Sequence, residues 1–486
     1  MNIRLYNTLS KKVEEFAPLE PNKLRFYHCG PTVYWTQHIG NLRGLTMGDL
    51  IVRTFKYFGF ETNHVRNYTD VGHLTGDTIG LADQGEDRME KGAKREGLSP
   101  DAIAQKYIDQ FEADTKAINL LEPDFKPRAT QYVKQMIAMV KTLIDKGFAY
   151  ETDLAVYFEV EKFPDYTKLS KQKLEKIIKD AGKGEISDPQ KKNPADFALW
   201  FFKTGVHKNA LQTWPSPFHS KQVESGIGFP GWHIECSAMS KALLGETLDL
   251  HMGGIEHIPI HHTNEITQSE ATNGKKFVNY WLHNEHLLVE NKKMAKSEGT
   301  AYSLQEVVDK GFEPMSLRYF FLTAHYRSKQ NFTWEALKNA QAGLQEMREK
   351  IANLKAPTKP QKTKSEGSEK EKTEFGKALA EDFNLPKALA IAWKVLKDNR
   401  FSDDEKKSLL LDFDRVLGLK LDEIAPKQEL KNVPENIKLL LEQREKARKE
   451  KNFAKSDEFR KKIESLGFEI QDSSQGQKVY KKRTLQ

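Results

Sequence analysis

The only two cysteines of this 486-residue chain each stand beside other residues that can bind a metal. Cys29 follows a histidine, and Cys236 closes the run Gly231–Cys236. Downstream, His261 and Glu265 are four residues apart, so they share one face if the segment is helical. Two thiolates, an imidazole and a carboxylate make a suitable set of four zinc ligands. The residue types therefore indicate a site for one zinc ion per chain.

Other roles for the cysteines stay open on these grounds. Isolated cysteines are commonly small buried apolar residues, and this spacing matches none of the short paired-cysteine zinc patterns. A disulfide would need an oxidising compartment. Met1–Asn7 shows no apolar signal segment, and no apolar stretch approaches membrane-spanning length. We therefore expect a cytoplasmic protein with reduced thiols and no membrane segment.

Two further segments have the composition of phosphate-binding loops. His38-Ile39-Gly40-Asn41 precedes a stretch with apolar residues at helical spacing, which predicts a loop that leads into a helix. A glycine and a helix N-terminus at that point would both favour a bound phosphate. Asn291–Thr300 is a polar loop with three lysines. Ordinary turns and solvated charged loops share these features, so the prediction rests on their combination with the metal ligands.

Taken together, these segments resemble those of the cysteinyl-tRNA synthetases, a family of class I aminoacyl-tRNA synthetases, over nearly the whole chain. His38–Asn41 resembles the first class I signature, His-Ile-Gly-His, and Lys293–Ser297 resembles the second, Lys-Met-Ser-Lys-Ser. Five more segments resemble cysteine-specific or recurring runs of the family: Cys29–Tyr34, Asp196–Trp200, Pro230–Ser237, His261–Ile266 and Asp382–Pro386. Several separated segments in the same order are far more specific than any single motif.

The resemblance implies an enzyme that uses ATP with Mg²⁺ to activate L-cysteine and transfers it to the 3′ end of tRNA(Cys). It implies that zinc is held by Cys29, Cys236, His261 and Glu265, and that zinc binds the substrate thiolate. Thr69 and Trp232 match positions that shape the cysteine pocket. A fitted pocket separates near-isosteres by only about 10²-fold, whereas zinc favours sulfur over a neutral hydroxyl. We therefore expect no editing activity and no editing domain.

The resemblance also implies which residues serve the ATP site. The residues that match ATP-binding positions are His38, Gly40, Asn41, Glu256, Lys293 and Lys296, and His38, Lys293 and Lys296 match catalytic positions. The carboxylate of cysteine is already an anion at neutral pH, so it can attack the α-phosphate without a general base. The task of these residues would be alignment and charge stabilisation.

Residues 71–97 depart from the family pattern. After Thr69-Asp70 the family commonly continues Ile-Asp-Asp-Lys, whereas this chain continues Val71–Thr75 and then a glycine- and acid-rich stretch. The sequence assigns no role to this segment.

The elements that must position these residues indicate an α/β protein with several parts. Residues 1–120 and 190–302 are expected to form a Rossmann-like class I catalytic domain, interrupted by a connective insertion at 121–189. An all-α helical bundle is expected at 303–430, with a disordered insertion at 355–372 that is rich in Lys, Pro, Ser and Glu. Residues 434–486 are expected to form a small C-terminal anticodon-binding domain.

The positive charge of the chain is concentrated at its C-terminal end. Residues 434–486 hold 14 Lys/Arg and 9 Asp/Glu, which gives +5 of the formal net charge of +7. A basic module suits a phosphate backbone, and an aromatic side chain within it can stack on a base. Tyr480 stands where the family often has Trp, and it is either such a base contact or a packing residue. The resemblance implies a monomer.

Three other functions fit some of these features. A ligase that joins cysteine to a small sugar amine would need no basic RNA-binding end. A catalytically silent RNA-binding paralogue would not need intact lysines and metal ligands. A protein that uses zinc only for folding would bind cysteine independently of the metal. The complete set of candidate residues favours the synthetase function.

Overall fold

The computed structural model of the protein describes residues 2–72, 74, 87–173, 175, 188–294, 299–354, 366–423, 430, 433–473 and 476–481. Lys296, part of the atypical 71–97 segment and residues 355–365 of the expected disordered insertion lie outside the described residues.

The strands and helices alternate through the first half of the chain, and helices dominate the second half. The strands are β1 Arg4–Asn7, β2 Lys12–Glu15, β3 Lys23–His28, β4 Glu61–Arg66, β5 Ala149–Glu151, β6 Ala155–Phe158, β7 Phe197–Phe202, β8 Gly228–Pro230, β9 Leu248–Gly254, β10 Val278–Asn284, β11 Leu287–Val289, β12 Lys292–Lys293, β13 Gln330–Phe332, β14 Phe468–Ser473 and β15 Gly476–Lys481. The helices are α1 Ile39–Tyr57, α2 Arg88–Glu96, α3 Pro100–Ala117, α4 Val133–Asp145, α5 Trp232–Leu244, α6 His261–Asn273, α7 Leu304–Asp309, α8 Pro314–Leu322, α9 Trp334–Ala352, α10 Glu366–Ala380, α11 Leu385–Lys397, α12 Asp403–Leu417, α13 Glu435–Lys449 and α14 Phe453–Ser465.

A parallel sheet of four strands forms the centre of the catalytic part, in the order β10-β9-β3-β4. Helix α1 connects β3 to β4, and α6 connects β9 to β10. The two crossovers proceed in opposite directions from the central pair, so the topology switches between β3 and β9. Open sheets of this kind bind ligands at the carboxyl ends of the strands beside such a switch point. The parallel sheet confirms the predicted α/β class.

A second sheet of four antiparallel strands, β5-β6-β7-β8, carries the insertion together with α4. Two of its strands, β7 and β8, lie beyond residue 189, where the insertion was expected to end. The boundary at residue 189 stays a prediction, and the strand pairing of this sheet continues across it. The six residues of β7 are all apolar and buried, a pattern that a strand of a parallel sheet would share.

The helices α7 to α12 form the bundle expected after residue 302, and their apolar faces join the core of the catalytic sheet. Helix α10 begins at Glu366, so the part of the expected disordered insertion from 366 to 372 is helical. Ser368 and Glu371 are buried on that helix despite its polar composition, and Glu371 pairs with Lys394 of α11. Polar content alone was therefore a poor guide here.

Two buried arginines link α1 to the elements around it. Arg318 of α8 donates to Asp49 of α1 at 2.7 Å and to the carbonyl of Leu417 at 2.7 Å. Arg43 of α1 donates to Gln330 and to the carbonyl of Ser328. These bonds fix α1 against α8, the end of α12 and the segment 328–330.

The C-terminal module has its own small core, made of Ile437, Ile463, Ile470 and Val479. Helices α13 and α14 pack together, and β14 and β15 form an antiparallel hairpin after Gly467, whose φ of +86° permits the turn that ends α14. Within the described parts of the chain, none of the helices is long and apolar enough to cross a membrane.

Candidate active site and metal centre

A cavity of about 570 Å³ opens where β3 and β9 end, at the switch point of the parallel sheet. Most of the residues predicted for the site line this one cavity: Cys29, His38, Gly40, Asn41, Thr69, Trp232, Cys236, Glu256, His261 and Lys293. Glu265 is fully buried beside the cavity. Lys296 lies outside the described residues, and Tyr480 lies half-buried on β15 of the C-terminal hairpin.

The four predicted zinc ligands converge at one end of the cavity. Cys29 follows β3, Cys236 lies in α5, and His261 and Glu265 lie one turn apart at the start of α6. Their ligand atoms all lie within 4.8 Å of one another, and His261 Nε2 is 2.9 Å from Glu265 Oε1. Neither cysteine is in a disulfide. The donor set therefore fits a soft divalent cation such as zinc.

Neighbouring side chains orient this set. His261 Nδ1 lies 3.0 Å from His233 Nδ1, so its other ring nitrogen, Nε2, faces the ligand cluster. The ring of Trp232 stacks on His261 at 4.2 Å. The imidazole is thus fixed from two sides, as expected for a metal ligand.

A second group of potential ligands overlaps the first. Cys29 Sγ also lies 3.4 Å from His251 Nε2 and 3.3 Å from His262 Nε2, and His251 Nε2 lies 3.6 Å from Glu265 Oε2. Cys29, His251, His262 and Glu265 therefore form a second possible four-ligand set. The sequence prediction missed it, although His251 lies in β9 only two residues before the glycine pair Gly253-Gly254.

The two sets differ in their access to substrate. Cys29, Cys236 and His261 line the cavity, whereas His251 and His262 are fully buried and do not. Three ligands of the first set line the cavity, whereas Cys29 is the one ligand of the second set that does, so we call the first the cavity-facing set and the second the enclosed set. A substrate group in the cavity therefore reaches a cation in the cavity-facing set more directly.

The ligand cluster is electrostatically unfavourable for anions in the absence of a cation. Burial raises the pKa of Cys29 and the pKa of Glu265 well above their usual ranges. Glu265 Oε2 has no hydrogen-bond partner among the described residues. A divalent cation would stabilise the thiolate and the carboxylate together, because its charge opposes the cost of burying them.

At the other end of the cavity, the His38–Asn41 motif forms the N-terminus of α1. Asn41 N donates to His38 Nδ1 at 3.2 Å, and Asn41 Oδ1 accepts from His38 N at 3.3 Å, which makes a capping box. Because Nδ1 of His38 accepts, a neutral imidazole carries its proton on Nε2. Nε2 is then the nitrogen that can donate to a phosphate oxygen.

The two signature motifs contact each other. A Cβ at Gly40 would overlap Met294, which belongs to the lysine-rich loop. Ile39 N donates to Tyr302 O at 2.8 Å, beyond that loop, and Lys293 lines the same cavity as His38. The fold thus brings together the histidine–glycine turn and the lysine loop, which are more than 250 residues apart in sequence.

The glycine pair Gly253-Gly254 at the end of β9 also lines the cavity. A Cβ at Gly253 would lie 2.6 Å from the ring of the buried His262, so a larger residue does not fit there, whereas the nearest atoms at Gly254 belong to the carboxyl end of the Glu256 side chain. Glu256 is half exposed and lies 3.7 Å from His286. It lines the cavity, and its role as an ATP contact stays a prediction.

The predicted cysteine-binding residue Thr69 belongs to a buried polar network. Its hydroxyl donates to Glu235 Oε2 at 2.9 Å and accepts from Asn67 Nδ2 at 3.2 Å. Asn67 Oδ1 in turn accepts from Gly30 N at 2.9 Å, next to Cys29. Since the single proton of Thr69 is committed to Glu235, its remaining lone pair can only accept a hydrogen bond from a bound ligand.

Sequence reasoning missed Asn67 and Glu235. Glu235 stands inside the quoted run Gly231–Cys236, but nothing in the run shows that its carboxyl group is fully buried against Thr69. Asn67 carries no sequence signal of this kind. Its role becomes visible in the structure, where Gly30 approaches its backbone closely and donates to its side chain.

Comparison with known proteins yields one family. The family model "tRNA synthetases class I (C) catalytic domain" matches residues 15–342. A cysteine–tRNA ligase of Treponema denticola is 38% identical over 99% of this chain and 100% of its own length. A protein named cysteine–tRNA ligase 1 from Burkholderia lata is 40% identical, over 99% of this chain and 97% of its own.

Solved structures share the fold at low sequence identity. A LeuRS–tRNA–LeuAMS ternary complex from Agrobacterium radiobacter superposes with a TM-score of 0.57 at 11% identity, over 84% of this chain and 85% of that chain. Mycobacterium tuberculosis methionyl-tRNA synthetase with methionyl-adenylate gives 0.54 at 13% identity, over 82% of this chain and 90% of that chain. These likenesses concern the fold alone.

Proposed function

The chain belongs to the cysteine–tRNA ligases, a family of class I tRNA synthetases, and on that premise we propose that a zinc ion in its cavity selects the thiol of L-cysteine. The reaction is activation of cysteine by ATP, with release of diphosphate, followed by transfer to the 3′ end of a tRNA. We further propose that the tRNA is tRNA(Cys) and that Mg²⁺ accompanies the nucleotide.

One observation carries the proposal for zinc. Cys29, Cys236 and His261 line the same cavity as Thr69 and Trp232, with the carboxylate of Glu265 directly behind them. When bound there, zinc supplies a soft Lewis acid that prefers a thiolate to the neutral hydroxyl of serine. This preference supports selection of cysteine without an editing step.

The remaining residues of the cysteine end orient the substrate. Thr69, which is held by Glu235 and Asn67, presents a hydrogen-bond acceptor. The α-ammonium group of cysteine is a donor only, so the two are complementary. Trp232, fixed on His261, forms the wall beside it.

The nucleotide end supports the adenylation step. His38 Nε2 and the N-terminus of α1 would donate to the phosphates from one side. Lys293 and Lys296 would approach from the other, and the carboxylate of cysteine would attack the α-phosphate between them. No residue has to remove a proton, so the rate depends on alignment and on stabilisation of the charge that develops on diphosphate.

The wider context of the protein follows from these requirements. Cys29 and Cys236 must stay reduced to bind zinc, which favours a reducing compartment, and we propose the cytoplasm. The basic C-terminal module suits an RNA backbone, and we propose that it binds the anticodon region, with Tyr480 as a base contact. We propose a monomer, in which one chain holds the complete site.

Charging of total tRNA with labelled cysteine tests this function. Purified protein, ATP and Mg²⁺ should charge tRNA with cysteine, should fail to charge it with serine, and should lose cysteine charging after zinc is chelated. Restoring zinc should restore charging. Formation of cysteinyl-adenylate without any tRNA charging, but with transfer of cysteine to a sugar amine, would instead indicate the small-molecule ligase.

A matched pair of variants distinguishes the two ligand sets. Cys236→Ala belongs to the cavity-facing set alone, and His262→Ala belongs to the enclosed set alone. The proposal expects Cys236→Ala to lose bound zinc, measured by mass spectrometry of the metal, and His262→Ala to retain it. The opposite pattern would assign the zinc to the enclosed set and remove its role as a selector.

A further inference from the structure

The atypical segment that follows Thr69 ends in α2, which lies at the mouth of the active-site cavity. Arg88, the first residue of α2, lines the cavity together with Tyr34 and Trp35 of the loop before α1. A Cβ at Gly92 would lie 3.1 Å from Tyr34 O, so α2 packs closely on this loop. Neither the cysteine end nor the nucleotide end of the cavity accounts for these residues.

The mouth presents an exposed indole ring with a guanidinium over it. Trp35 is 37% exposed, and the guanidinium of Arg95 lies 3.8 Å from the centre of its ring. Arg95 is held there by hydrogen bonds to Tyr34 O at 2.9 Å and to the hydroxyl of Tyr107 at 3.2 Å. The indole and guanidinium planes are therefore fixed against each other before any ligand arrives.

The charge on this helix favours an anionic ligand. Helix α2 carries four basic and two acidic side chains, a net charge of +2. Both acids are engaged: Glu90 accepts from the backbone of Leu211, and Glu96 binds Arg95 and also Lys106. Lys91 and Lys94 are exposed on the same helix.

We propose that Trp35, Arg95 and Arg88 form a subsite for the unpaired 3′ nucleotides of the tRNA acceptor end. This inference rests on the proposed function, in which a ribose hydroxyl at the 3′ end of tRNA must reach the activated cysteine inside the cavity. Bases of single-stranded RNA stack on aromatic rings and on guanidinium planes, and arginines contact the phosphates between them. Helix α2, the described end of the atypical segment, thereby receives a role.

Loss of the subsite should impair the transfer of cysteine to tRNA and leave the activation of cysteine unchanged. Trp35→Ala should leave cysteine-dependent ATP–pyrophosphate exchange, measured without tRNA, within about twofold of the parent. It should lower kcat/KM for tRNA in the charging reaction by roughly 10- to 100-fold, the range expected for loss of one stacked base. Trp35→Phe should recover most of the loss, because a smaller ring still stacks.

Binding to two forms of tRNA locates the contact and needs no catalysis. Intact tRNA should bind Trp35→Ala and Arg95→Ala more weakly than it binds the parent, whereas tRNA lacking its last three nucleotides should bind all three proteins equally. Arg400→Ala is the matched control, since Arg400 is an exposed arginine paired with an acid, Asp398, outside the cavity lining. It should bind both tRNAs as the parent does.

Three results would overturn the subsite. The first is an unchanged kcat/KM for tRNA in Trp35→Ala, and the second is a parallel fall in pyrophosphate exchange, which would assign Trp35 to ATP or to cysteine. The third is equal weakening of intact and shortened tRNA, which would place the contact elsewhere on the tRNA. A parent protein that neither activates cysteine nor charges tRNA would instead refute the proposed function, and the binding comparison would still report on the subsite.

Discussion

Glu235 provides a test of how the cysteine pocket is built. Its carboxyl group is fully buried, and burial raises its pKa well above the usual range. Glu235→Ala removes the acceptor of the Thr69 hydroxyl, which leaves a buried donor unpaired at a cost of about 1–2 kcal/mol. If this whole free-energy cost weakens substrate binding, KM for cysteine rises roughly 5- to 30-fold. Glu235→Gln keeps an acceptor of the same shape and should stay within about threefold.

The assay is cysteine-dependent ATP–pyrophosphate exchange, with KM determined separately for cysteine and for ATP. We expect KM for ATP and the preference for cysteine over serine to remain unchanged, because neither depends on Thr69. Metal content must be measured in each variant, since Cys236 is the next residue. Glu371→Ala, which removes a buried carboxylate in the bundle, is the control and should not alter KM for cysteine. An unchanged KM for cysteine in a zinc-loaded Glu235→Ala protein would refute the reasoning.

Three further predictions concern stability and catalysis. Arg318→Met should lower the free energy of unfolding, measured by denaturant titration, by about 3–5 kcal/mol, because it leaves Asp49 buried with one cation fewer. Combining it with Asp49→Asn should recover part of this loss. His207 packs against two phenylalanine rings, Phe201 and Phe229, and burial lowers its pKa to about 4. Stability that is present above pH 6.5 is therefore lost as the pH falls toward 4. His207→Phe should therefore lose roughly 2 kcal/mol less stability than the parent between pH 7 and pH 5, and equal losses would contradict this assignment. Lys296→Ala should slow adenylation about 100-fold or more with little change in cysteine affinity, whereas Lys292→Ala, an exposed neighbouring lysine, should behave as the parent.

The part of the site that could be predicted from sequence is the part carried by short motifs. Cys236 and His261 stand in runs whose residue types are unusual. The first signature, His38–Asn41, is recognised by a histidine and a glycine before a helix. The parallel sheet then brings these residues to one cavity, because the ends of β3 and β9 meet at the switch point.

The part that sequence could not supply depends on burial and on long-range contacts. Glu235 and Asn67 are ordinary polar residues until the fold buries them against Thr69. The second ligand set exists because His251 and His262, on different elements, both approach Cys29. No spacing rule relates such residues, since their distance is set by packing between a strand and a helix.

Strand pairing also decides which sheet an apolar segment joins. The apolar run Phe197–Phe202 has the same pattern whether a strand joins the catalytic sheet or the insertion, and only its pairing with β6 and β8 decides between them. At Glu366 the charged composition suggested disorder, yet its helix buries Phe375 and Leu379 against the bundle. Tertiary packing therefore overrode the local composition at both positions.

X-ray absorption at the zinc edge, recorded with and without substrate, tests the central claim most directly. Zinc held by Cys29, Cys236, His261 and Glu265 should have two sulfur neighbours in the free protein. Saturating cysteine should raise the count to three, and saturating serine should leave it at two. A single sulfur neighbour that cysteine does not change would assign the metal to the enclosed set of Cys29, His251, His262 and Glu265, and would contradict selection of cysteine by zinc.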